Sequence, residues 1–72
     1  MANDFREGQK VHWHWGANVA HGTIAERFER RVQRTIAGTR IVRNGTPANP
    51  AYLVEQADGG RALKRGSELA AG

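Results

Sequence analysis

Two sets of side chains in this chain have the types and spacing to do chemistry: the histidines His12, His14 and His21, and the arginines Arg27, Arg30, Arg31, Arg34, Arg40 and Arg43. Histidines two positions apart on an extended segment point to one side, and His21 on a neighbouring strand completes the outline of a three-imidazole zinc or nickel site. Such a site normally has carboxylates orienting the rings, and no Asp or Glu stands near these histidines in sequence. They therefore read as polar residues on the solvent face of a half-buried strand, with no metal and no other cofactor expected.

The arginines carry the stronger functional signal. They are six of the eleven basic residues, and the interval they span holds one acid, Glu29. Guanidinium forks bind phosphate oxygens bidentately, so this cluster is the candidate binding surface, and a net charge of +4 favours acidic partners. The competing reading is a solvated basic face. Aromatic residues for base stacking are few, so any DNA or RNA is held by its backbone with little regard to sequence. Trp15 and Tyr52 are the candidate aromatic contacts. A cage for a methylated cation needs three or four aromatic faces, and the alternation of Val11, Trp13 and Trp15 assigns the indoles to core packing. Trp15, beside the Gly16 turn, is the more exposed of the pair.

Catalysis finds no comparable support. Ser67 is the sole serine and lies in a terminal turn, and no paired carboxylates or phosphate-cradling glycine loop occur. No enzyme is expected. The absence of cysteine removes disulfides and thiolate metal sites. No run is apolar enough for a signal segment or for the roughly 20-residue span of a membrane helix. A cytoplasmic soluble protein without a membrane partner is the expectation. Seventy-two residues give room for one domain, residues 1–72 with an ordered core over about 8–69, which buries roughly 60% of the surface its unfolded chain exposes.

The elements that must position these residues are strands. Val11, Trp13 and Trp15 alternate with His12 and His14, a period of two that predicts a strand over 9–15 with its apolar face inward. Gly16, Ala17 and Asn18 turn the chain into a second strand starting at Val19 or Ala20. Gly22 inside that strand marks a bulge or the close approach of another backbone, and Ile24, Glu26 and Phe28 share a face beyond it. Residues 30–36 and 39–43 form a basic hairpin. At its tip Ala37 resists positive φ, which favours a type I turn with a glycine bulge or a type II turn over type I′. Residues 44–50, with Asn44-Gly45 and two prolines, make a loop and the most mobile part of the chain. Strands over 51–56 and 61–64 follow, joined through Asp58-Gly59-Gly60, and Ser67-Glu68-Leu69 closes with a short helical turn. Phe5 plugs one end of the core, and Gly8 turns the lead-in into the first strand. Short strands with glycine-rich turns in so short a chain predict an all-β barrel, because closure removes exposed edges.

The blocks Val11-His12-Trp13-His14-Trp15-Gly16, Gly22-Thr23-Ile24, Arg34-Thr35-Ile36-Ala37-Gly38-Thr39-Arg40-Ile41-Val42-Arg43-Asn44-Gly45, Pro50-Ala51-Tyr52-Leu53-Val54-Glu55-Gln56, Asp58-Gly59 and Leu63-Lys64 through Ser67-Glu68-Leu69 stand in order along nearly the whole chain. Together they resemble the hypervirulence-associated protein Tudor-domain family over roughly residues 5–69. The resemblance implies a small five-stranded Src-homology-3-like, or Tudor-like, barrel with an extended basic β hairpin, in a family without an established biochemical activity. The loop after Asn44-Gly45, usually acidic in that family, is uncharged here. The combined reading is a non-enzymatic binding module, first a protein-interaction or assembly domain whose partner is unknown, self-association included. The alternative is weak, sequence-tolerant binding of nucleic-acid phosphates through residues 27–43.

Overall fold

In the computed structural model, which describes residues 3–72, the strands run β1 (Lys10–Trp15), β2 (Asn18–Phe28), β3 (Arg31–Ile36), β4 (Thr39–Asn44), β5 (Ala51–Glu55), β6 (Arg61–Arg65) and β7 (Ala70–Ala71). Every observed pairing is antiparallel. Five strands form one sheet in the order β6-β5-β2-β1-β7, and β3 and β4 form a separate hairpin that packs on β6. The all-β, small barrel-like fold expected from the sequence is the one observed, and each of the six expected strands lies within a residue or two of its predicted limits. A 3-10 turn over Gly66–Glu68 stands where the helical turn was expected. The seventh strand was not foreseen: two alanines carry no strand signal, and they are extended because Ala70 and Ala71 pair with His12 and Val11.

β5 is the centre of the core. Its alternate side chains feed two apolar clusters: Tyr52 and Val54 join Phe5, Val11, Trp13, Ile24 and Leu69, while Ala51 and Leu53 join Phe28, Val32 and Leu63. A strand buried on both faces has no polar alternation to preserve. This is why residues 51–54 read as an unbroken apolar run. Phe5 is buried against Tyr52 with the rings edge to face, centroids 5.6 Å apart, and so plugs the core as expected.

Three local readings need correction or refinement. The register shift in β2 falls between Ile24 and Glu26, at Ala25, and not at Gly22. Gly22 serves the other purpose foreseen for it. A Cβ there would sit 2.5 Å from Val54 Cγ1 and 2.8 Å from the Glu55 carbonyl oxygen, so only glycine lets β5 approach this closely. At the tip of the basic hairpin Ile36 pairs with Thr39, leaving a two-residue turn in which Ala37 (φ 51) and Gly38 (φ 80) both take positive φ. That is the type I′ pattern, which matches the right-handed twist of the flanking strands; the strands' twist has overridden alanine's resistance. The loop after β4 has an internal order not foreseen: Thr46 and Asn49 exchange backbone hydrogen bonds of 3.1 Å, and the Asn49 side chain binds Ser67.

Candidate binding groove

The arginines that dominate the sequence do not gather on one face. In the β3–β4 register, Arg34 and Arg43 belong with Val32 and Ile41 on the inward side, whereas Arg31 and Arg40 belong with Gln33 and Thr35 on the outward side. Four of the six are engaged locally. Arg27 forms ion pairs with Glu29 and with Asp4, the latter at 3.1 Å; the hydrogen bond to Glu29, above all, raises its guanidinium further above the ordinary arginine range. Arg30 and Arg34 lie over the Phe28 ring, 5.3 and 5.0 Å from its centroid. Each such contact shields an aromatic edge of the core and holds the cation in place. Arg43 reaches Glu68, Nε to Oε1 at 3.6 Å, and donates to the Val42 carbonyl at 2.9 Å. Arg31 and Arg40 remain exposed.

Of the two candidate aromatic contacts, Tyr52 is fully buried. Its hydroxyl accepts a hydrogen bond from the Phe5 N–H at 2.9 Å and donates to the Asn3 carbonyl at 3.0 Å. The ring is thus a core anchor for the N-terminal segment and is corrected from the surface role given to it. Trp15 is the reverse case. It is 68% exposed, the most exposed large apolar residue among those described, while Trp13 on the same strand face is 4% exposed.

Trp15 stands at the mouth of a groove of about 420 Å³ between β1, β4 and β6. The groove's apolar surface comes from Trp13, Ala20, Ile41, Ala62 and Leu63. Its polar lining is Gln56 and three cations, Arg43, Arg61 and Lys64, with no acid. Arg61 and Lys64 form no ion pair within 4 Å among the described residues, although Glu55 lies opposite Arg61 in the β5–β6 register. A second hollow, of about 510 Å³, lies by Lys10, His21, Thr23 and Glu55; it carries charges of both signs and is lined by no Trp, Tyr or Phe among the described residues.

His12 and His21 face each other across β1 and β2 with ring centroids 5.9 Å apart, and His14 lies on the same outward face. No group of three or more metal-ligating side chains forms among the described residues. No described helix is long and apolar enough to cross a membrane.

Sequence reasoning missed Arg61, Lys64 and Ile41. No signal in the chain joins them to Trp15, which is more than twenty residues away in each case; the curl of the sheet and the packing of the hairpin on β6 bring them together.

An antiparallel five-stranded sheet with a two-stranded hairpin packed on β6 is the small barrel-like build of a Tudor-like domain, a type made up in general of non-catalytic binding modules. The model of the family described as hypervirulence associated proteins Tudor domain matches residues 8–69, and the chain belongs to that family. No curated protein and no solved structure matches the chain.

Proposed function

We propose that this protein is a non-enzymatic, cytoplasmic interaction module that holds a segment of a protein partner in the groove beside Trp15. The observation that carries the reading is the contrast in that groove: an indole left in solvent above an apolar floor, in a chain that buries its other aromatic residues. Tryptophan and arginine are the residue types in which binding energy concentrates at protein interfaces, typically where they border a pocket the partner fills. Val19, 46% exposed on β2, lies opposite His14 on the outward face and takes no part in the groove.

A second reading, binding of DNA or RNA phosphates, is favoured by one observation. Arg31 and Arg40 stand exposed on the outward face of the hairpin, separated from the groove by its two strands. Phosphate contacts of this kind weaken steeply with salt, whereas a packed apolar interface does not.

The test is affinity capture from an extract of the source cell with three baits: the natural chain, Trp15→Ala, and Arg31→Ala combined with Arg40→Ala. The proposal expects a partner protein that resists moderate salt and is lost from the Trp15→Ala bait alone. Identical captures by the natural and Trp15→Ala baits contradict it. Material lost only from the arginine bait, and lost with salt, establishes the second reading instead.

A further inference from the structure

We infer that the groove reads an anionic peptide, a segment in which a single bulky apolar residue is flanked by carboxylates. The inference rests on the groove being the binding seat, as proposed above, and adds the chemistry of its occupant.

Charge decides the sign of the ligand. A barrel of this type that recognises a methylated ammonium group surrounds it with several aromatic faces. Here Trp15 is the one exposed aromatic at the groove, Trp13 being buried beneath it, and the charged side chains that line the space are Arg43, Arg61 and Lys64. A cationic ligand would meet three like charges and no acid, so the groove repels the ligand that an aromatic cage would attract. The counter-charges lie elsewhere. Glu68 holds Arg43 at 3.6 Å without lining the groove, which fixes that guanidinium at the wall. Arg61 and Lys64, free of ion pairs within 4 Å among the described residues, are left to serve a ligand.

Shape and polarity decide between a peptide and a nucleic acid. A single strand of DNA or RNA gains its affinity from successive stacking faces along a basic track, and this groove offers one exposed face. Its floor is aliphatic, from Ile41, Ala62 and Leu63, and its volume of about 420 Å³ suits a large apolar side chain with charged neighbours at the rim. An acidic segment anchored by one apolar residue satisfies both parts: the anchor covers the floor against Trp15, and the carboxylates meet Arg61 and Lys64 in charge-assisted hydrogen bonds.

The test uses short synthetic peptides lacking tryptophan, titrated by calorimetry and by tryptophan fluorescence at low and physiological salt, the Trp15→Ala chain supplying the signal of Trp13 alone. One has a phenylalanine flanked on both sides by glutamates, a second has glutamines in their place, a third carries trimethyl-lysine; a short oligothymidylate is the fourth probe. The glutamate peptide should bind saturably, and the glutamine peptide roughly tenfold or more weaker. Arg61→Gln combined with Lys64→Gln should produce a similar loss for the glutamate peptide while leaving the amide spectrum of the folded chain in place. Equal binding of the glutamate and glutamine peptides, both lost in Trp15→Ala, overturns the charge assignment and keeps the groove as the seat. Glutamate-peptide binding that Trp15→Ala does not weaken removes the groove and the inference together. The inference also fails if the glutamate peptide does not bind at low salt, or if the trimethyl-lysine peptide or oligothymidylate binds the groove more tightly.

Discussion

Trp13 and Trp15, two residues apart on the same face of β1, have opposite fates: Trp13 is 4% exposed within the core and Trp15 is 68% exposed at the groove mouth. The strand outruns the core. Trp13 pairs with Ala20 beneath the groove, while Trp15 pairs with Asn18 at the turn, where no strand crosses over it. The two indoles therefore make separable predictions. Trp13→Ala empties a packed core position at a cost of about 3–5 kcal/mol, much of the stability of a 72-residue chain. Trp15→Ala should change stability by less than about 1 kcal/mol and abolish groove binding. Chemical denaturation of the two variants beside the natural chain checks this.

Tyr52 predicts a polar effect in an apolar site. Its hydroxyl pairs the buried Phe5 N–H and the Asn3 carbonyl, so Tyr52→Phe keeps the ring and strands the amide. The expected loss is about 1–3 kcal/mol. Hydrogen exchange should show the opening confined first to the segment around Phe5.

Gly22 tests the closeness of β2 to β5. Since the added Cβ of Gly22→Ala meets Val54 Cγ1 at 2.5 Å and the backbone oxygen of Glu55 at 2.8 Å, relief requires a shift of the strands. A loss of roughly 1–3 kcal/mol follows, readable as a lowered midpoint in thermal melting.

The arginines separate by what they touch. Arg34→Ala removes a guanidinium lying 5.0 Å from the Phe28 centroid and should cost about 0.5–1 kcal/mol. Arg31→Ala and Arg40→Ala, on the exposed outward face, should each stay within about 0.5 kcal/mol of the natural chain. If phosphates do bind there, the double variant should reduce the slope of log affinity against log salt by about two contacts' worth. Melting curves and a salt series on an oligonucleotide separate the two effects.

The strands were legible because their signals are local. Val11, Trp13 and Trp15 set the period of β1, Asp58-Gly59-Gly60 marks the β5–β6 turn, and the β-favouring residues 51–56 mark β5 as a strand. What was not legible depends on the tertiary arrangement. The tip of the basic hairpin follows strand twist and not the preference of Ala37. Tyr52 is indistinguishable in sequence from a surface aromatic until β2 covers one side of β5 and the segment around Phe5 closes over it. The arginine cluster looked like one surface because sequence proximity ignores the two faces of a hairpin. Conversely Arg61 and Lys64 drew no notice, since their importance comes only from lying across the groove from Trp15.

The central claim is that the groove beside Trp15, and not the outward face of the basic hairpin, is where this protein meets its ligand. Amide-resonance mapping on the labelled chain, titrated at physiological salt with the phenylalanine peptide flanked by glutamates, tests it most directly. The account predicts shifts that centre on Trp15, Ala20, Ile41 and residues 61–64, accompanied by the Trp15 indole N–H and absent from Arg31 and Arg40. Shifts centred on Arg31, Thr35 and Arg40 with the Trp15 indole unmoved would contradict it.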